Sequence, residues 1–116
     1  MTPRLEVAGP ILCALAISFG QIAFKLLGRM YAEGVGLFAP RSLGLLCAAG
    51  LLYVGATGAW IWLLRTLPLT RAYPFMALSF LVVPLLSWLL LDEHLPATYL
   101  LGAALIAAGL IVVTAW

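Results

Sequence analysis

Residues 42–64 read SLGLLCAAGLLYVGATGAWIWLL, a run with no charged side chain and no proline. An α-helix rises 1.5 Å per residue, so crossing roughly 30 Å of hydrocarbon takes about 20 residues. Lipid offers no partner to a backbone N–H or C=O, and a helix satisfies both internally. The run therefore reads as a membrane-spanning helix. The same test applied outward finds three more, at about 6–27, 72–91 and 97–116. The sequence predicts an all-α integral membrane protein: residues 1–116 as a single domain of four transmembrane helices, with no soluble domain.

Composition agrees. The chain has 116 residues, 66% of them hydrophobic and 9% charged, against about 25% charged in soluble domains. The mean hydropathy of +1.18 makes lipid the matching solvent. A formal charge of +2, thinly scattered, does not suit nucleic acid. Cys13 and Cys47 both fall in apolar runs, where a thiol behaves as a small hydrophobe. No disulfide is expected, and no metal-ligand spacing is present. The first run is broken by Gln21 and Lys25 and followed by three like it, so it does not read as a cleavable leader.

The connections are Gly28 to Arg41, Arg65 to Arg71 around Pro68, and the acidic turn Asp92-Glu93-His94-Leu95-Pro96. Pro74 is expected in the first turn of helix 3, where a missing N–H costs little. Pro84 is expected to bend that helix and leave the Phe80 carbonyl without its donor. Arg4, Arg65 and Arg71 fall on one membrane face; Arg29, Arg41 and the end of Lys25 fall on the other. That balance gives little direction under the positive-inside rule. Either a small bias selects one orientation, or opposite orientations combine in an antiparallel dimer.

Polar groups are few enough to follow singly. Ala14, Ser18, Gln21 and Lys25 are spaced four, three and four apart and stack on one face of helix 1. Such groups face the protein interior or a wet cavity, because lipid exposure is costly. Lys25, the chain's lone lysine, has two readings. Its stem carries the ammonium to the headgroups, or it is a fixed cation at a cavity mouth, suited to a phosphate. Gln21 either bridges helices or contacts substrate, since a buried amide needs partners. Tyr73, Met76, Phe80 and Ser87 form a facing stripe on helix 3, read as helix packing or as a ligand surface. Arg71, just before it, is an interfacial arginine or an anion partner. Helix 4 carries Gly102, Ala103 and Gly109 on a small-residue surface that suits close helix approach, and it is the expected dimer interface. Four short helices are too few to enclose a polar pathway alone, which points the same way.

Absences narrow the function. Glu6, Glu33, Asp92 and Glu93 all fall at expected helix ends or in connections, so the membrane carries no carboxylate for proton exchange. There is no Ser-His-Asp arrangement, no metal-ligand cluster and no phosphate loop. His94 lies in a turn and reads as solvated. No enzyme activity, catalytic residue or cofactor is expected.

Over essentially the whole chain, the four-helix plan resembles the small multidrug resistance branch of the drug/metabolite transporter superfamily. The resemblance rests on Gly20 through Lys25, Ala72-Tyr73, Leu86-Ser87-Trp88 and the pair Gly102 and Gly109. The exchange glutamate of the multidrug members is replaced here by Ile17, and their tryptophan after the tyrosine by Met76. A closer resemblance is to the small subunits that flip aminoarabinose–phosphoundecaprenol. It rests on GQIAFK (Gly20 to Lys25), Ala72-Tyr73-Pro74, Leu78-Ser79-Phe80 and Glu93, with Arg71 as a departure. This resemblance implies a multi-pass protein of the bacterial inner membrane, paired with an identical or similar subunit. It further implies that an undecaprenyl-phosphate-linked sugar, 4-amino-4-deoxy-L-arabinose, is flipped for lipid A modification. Lys25, with Arg71, would neutralise the phosphate; Gln21, Ser18 and Tyr73 would bond the sugar; no obligatory proton exchange is expected. The competing readings are an exporter of another small or amphipathic substrate and a non-transporting membrane subunit.

Overall fold

The computed structural model describes residues 3–115. All its regular structure is helical: α1 (Pro3–Ala32), α2 (Pro40–Leu63), α3 (Leu69–Ala72), a 3₁₀ segment (Tyr73–Ala77), α4 (Leu78–Leu91) and α5 (Thr98–Thr114). Three stretches are long and apolar enough to cross a membrane, Glu6–Ala32, Pro40–Leu63 and Leu69–Leu91. Thr98–Thr114 is a shorter apolar helix. Trp116, the expected last residue of helix 4, lies outside the described residues.

Two expectations about element bounds change. Helix 1 runs well past residues 6–27, because a count of apolar residues measures the hydrocarbon and not the helix. Arg29 is a good helix former, so hydrogen bonding continues until Gly34 turns the chain at φ 89°. The Val35 N–H then donates to the Met30 carbonyl at 2.9 Å. Glu6 sits in the first turn of α1, at a helix end as expected. The third span begins at Leu69, so Pro74 falls within it and not in an opening turn. A proline there lacks the donor for the carbonyl four residues back, and the chain tightens to 3₁₀ over Tyr73–Ala77 before resuming as α4.

The principal dimensions are 49 × 36 × 17 Å. A helix with its side chains is about 10–12 Å across, so the chain is a layer less than two helices thick. In that layer α1 packs on α2 and on α4, and α5 lies against α4 and the 3₁₀ segment. The buried core mixes small residues, among them Ala14, Ala49, Ala56 and Ala72, with larger ones such as Ile22, Leu27, Leu63 and Phe75. Large apolar side chains such as Leu12, Leu51, Val54, Phe80 and Leu100 point outward. A protein in water rarely tolerates such a surface; acyl chains or another apolar subunit would match it.

Candidate functional site

The crossing of α1 and α2 is set by two glycines. A Cβ on Gly9 would come within 2.5 Å of the Leu63 side chain, and one on Gly20 within 2.2 Å of the Tyr53 ring. The Cε2 edge of the Tyr53 ring therefore rests against Gly20, and Phe24, one turn on, stacks against the ring with centroids 5.2 Å apart and planes at 21°. The Gln21 amide donates to the Tyr53 hydroxyl at 2.7 Å. The Tyr53 hydroxyl in turn lies 3.4 Å from the Ile17 carbonyl. Toward α4, the Ser18 hydroxyl donates to the Ala14 carbonyl at 2.7 Å. Ser79 of α4 lies 3.3 Å from that hydroxyl and 3.4 Å from the same carbonyl.

Three recesses follow the third span through the layer. The first, about 440 Å³, is lined by Ser87, Glu93, His94, Thr98 and Tyr99 with Val83 and Pro84. The second, about 310 Å³, shares Val83 and Pro84 and adds Ile17, Gln21, Ser79 and Phe80. The third, about 370 Å³, shares Ile17 and Ser79 and continues to Thr57, Trp60, Tyr73 and Met76. Because neighbours share lining residues, the three adjoin, stepping from the Asp92–Pro96 turn toward the Tyr73 end of the same span. Their walls are mostly apolar, with polar groups spaced along them. The Tyr99 hydroxyl also donates to the Leu81 carbonyl, tying α5 to α4 one turn before Pro84.

Each end of the track carries an ion cluster joining α1 to the third span. At one end Glu93 Oε1 lies 3.6 Å from Lys25 Nζ and 3.7 Å from Arg29 Nη2. Arg29 also donates to the Leu91 carbonyl at 2.8 Å, covering a helix C-terminus. Asp92, in the left-handed region at φ 53°, ends α4 and turns the chain so that Glu93 reaches this cluster. The Glu93 N–H closes the turn on the Ser87 carbonyl at 3.3 Å. At the other end Arg71 Nη1 lies 3.9 Å from Glu6 Oε2.

The expected site residues therefore separate. Gln21 and Tyr73 line adjoining recesses, and Tyr73 is 63% exposed. Ser18 is fully buried and faces Ser79, so the hydroxyl at the recess wall is that of Ser79. Lys25 and Arg71 do not converge on one anion. Arg71 pairs near residue 6 of α1, and the helix from there to Lys25 spans about 28 Å. Gly102, Ala103 and Gly109 lie on α5, none of whose described residues is buried. A Cβ on either glycine would meet nothing within 4 Å. Tyr53, Ser79, Arg29 and Glu93 were not singled out from the sequence as site residues. A tyrosine midway along an apolar helix was the one available signal for Tyr53. Both cysteines are free, Cys13 buried and Cys47 exposed. Among the described residues no group of His, Cys, Asp or Glu is placed to hold a metal ion.

Apolar spans, a few polar groups lining recesses beside the third span and ion pairs near the helix ends suit a multi-pass membrane transporter. Comparison with known proteins makes that more particular. The model of the EamA-like transporter family matches residues 4–115, and the chain belongs to that family. Similar proteins include the probable 4-amino-4-deoxy-L-arabinose-phosphoundecaprenol flippase subunit ArnE of Salmonella typhimurium. It is 34% identical over 103 residues, covering 88% of this chain and 90% of the relative. The subunits of the same description from Salmonella paratyphi B and Salmonella newport match equally. No solved structure gives a significant match. The protein is a multi-pass transporter of the bacterial inner membrane, not an enzyme.

Proposed function

We propose that this chain is a subunit of a flippase that moves an undecaprenyl-phosphate-linked sugar, 4-amino-4-deoxy-L-arabinose, across the inner membrane for lipid A modification. The observation that carries the reading is the series of adjoining recesses beside α4, polar at Gln21 and Ser79 and charged at Glu93, with the Arg71–Glu6 pair close in sequence to Tyr73. An undecaprenyl tail is already at home in acyl chains, so the barrier is the desolvation of the phosphosugar head. A groove open sideways to lipid admits the head while the tail stays outside. Lys25 and Arg29 receive the phosphate at one end, Gln21 and Ser79 offer hydrogen bonds midway, and Tyr73 with Arg71 receives the head at the other. The charged clusters thus act in succession.

In this reading residues 1–116 form one four-helix transmembrane domain. The 17 residues of α5 span about 26 Å, a shortfall a bilayer meets by local thinning. A layer less than two helices thick cannot enclose the track, so a second subunit, identical or similar, covers it, with Gly102, Ala103 and Gly109 as the contact. The aromatic lining at Trp60 and Tyr73, with the Met76 thioether beside it, also favours a second reading, export of another amphipathic substrate. The test is reconstitution in vesicles with the lipid-linked aminosugar, following head-group exposure with a membrane-impermeant amine reagent. Protein-dependent exposure that falls at least tenfold in Lys25→Ala supports flipping. Exposure unchanged by the protein sinks it, and efflux of quaternary ammonium compounds instead favours the second reading.

A further inference from the structure

Glu93 is the one carboxylate lining the three recesses, and the reading above assigns it no task. Its position is unusual for a structural ion pair. It stands between two cations of α1 at 3.6 and 3.7 Å, longer than the 2.7–2.9 Å of a tight charge-assisted bond. Its side chain remains 35% exposed, and its backbone is anchored by the bond to Ser87. It also lines the recess of about 440 Å³, together with Ser87, His94, Thr98 and Tyr99. The volume lies within the range of small-molecule sites. Cations and hydrogen-bonding groups thus both neighbour the carboxylate.

We propose that Glu93 is the specificity residue of this transporter, receiving an ammonium carried by the substrate's sugar while Lys25 and Arg29 receive its phosphate. The proposal rests on the flippase reading and deepens it. A phosphodiester that carries an amine across its sugar ring is a zwitterion. It exchanges the internal pairs of Glu93, Lys25 and Arg29 for pairs of its own, phosphate with the two cations and ammonium with Glu93, so each charged group keeps an opposite partner. A head with phosphate but no amine takes the two cations and leaves the Glu93 carboxylate beside the incoming anion. Like charges juxtaposed at a binding site discriminate against the wrong partner. The turn hydroxyls then face the ring hydroxyls of the sugar. Glu6, the other acidic residue at an end of the track, is held against Arg71 at the far end.

The test is a competition. Wild type and Glu93→Gln, each with its partner subunit, are reconstituted in vesicles of phosphatidylcholine and phosphatidic acid, which carry neither a primary amine nor a vicinal diol. Aminoarabinosyl- and arabinosyl-phosphoundecaprenol are present together. Impermeant periodate cleaves the vicinal diol that both sugars carry, and mass spectrometry of the surviving lipids gives the ratio of the two transport rates. A ratio on one preparation does not depend on how much variant protein folds. The expected result is a preference of about tenfold for the amine in wild type, equivalent to about 1.4 kcal/mol. That preference should fall to about one in Glu93→Gln and be largely kept in Glu93→Asp. Equal rates in wild type, or a preference that survives Glu93→Gln, overturn the assignment while leaving flipping intact. If wild type moves neither lipid, the flippase reading itself falls, and this assignment with it.

Discussion

Gly20→Ala should be among the most damaging small changes in the chain, and its cost can be worked from the contacts. The added methyl would sit 2.2 Å from Tyr53 Cε2, 3.0 Å from Cδ2 and 3.2 Å from Cζ. Ordinary carbon contact begins near 3.4 Å, so the ring must retreat by roughly an ångström. It is not free to do so. Its hydroxyl is held by Gln21 at 2.7 Å and its face by Phe24 at 5.2 Å between centroids. Overpacking of this kind costs about 1–3 kcal/mol. Loss of the polar contact within a membrane protein adds about 0.6–1.7 kcal/mol, and loss of the stacked pair about 0.5–1.5. Partial relaxation keeps the sum at about 2–4 kcal/mol, even though alanine is the better helix former by about 1 kcal/mol. The assay is detergent-titrated unfolding followed by far-ultraviolet circular dichroism. Gly28→Ala is the control, since a Cβ there meets nothing within 4 Å; it should be neutral or slightly stabilising. Adding Tyr53→Ala to Gly20→Ala should remove most of the steric penalty. If the two glycine variants unfold alike, or Tyr53→Ala adds its full cost on top of Gly20→Ala, the account of the crossing is wrong.

Other outcomes follow from the same contacts. Ser42 is buried in the first turn of α2 with its hydroxyl unpaired, having no helical carbonyl four residues back. Ser42→Ala should therefore stabilise by about 1 kcal/mol in the same unfolding titration, and a loss would show that the hydroxyl has a partner. Asp92→Gly should leave stability equal or raise it by up to about 1 kcal/mol, whereas Asp92→Val should lower it by a similar amount or more, because only the second worsens a left-handed residue. Gly102→Leu with Gly109→Leu should leave monomer unfolding unchanged within about 0.5 kcal/mol. The pair should abolish energy transfer between labelled subunits in bilayers; retained transfer would exclude α5 as the contact.

Some of this was legible in the sequence and some was not, for one reason applied to different residues. Whether residues 42–64 form an apolar helix depends on composition and on hydrogen bonds that close four residues apart, so the run itself carries the information. The stacking of Ser18, Gln21 and Lys25 on one side of α1 follows likewise from helical period. What the period cannot supply is the rotation and register of one helix against the next. That is why Ser18 turned out to face Ser79 and lie buried, while Gln21 found a tyrosine 32 positions away. It is also why two cations expected to share an anion stand at opposite ends of α1, each beside a glutamate. Local chemistry determined the helices and the solvent they need. Only the packing of α1 against α2, where Gly9 and Gly20 admit Leu63 and Tyr53, and against α4 decided which polar groups line the track and which are sealed beneath it.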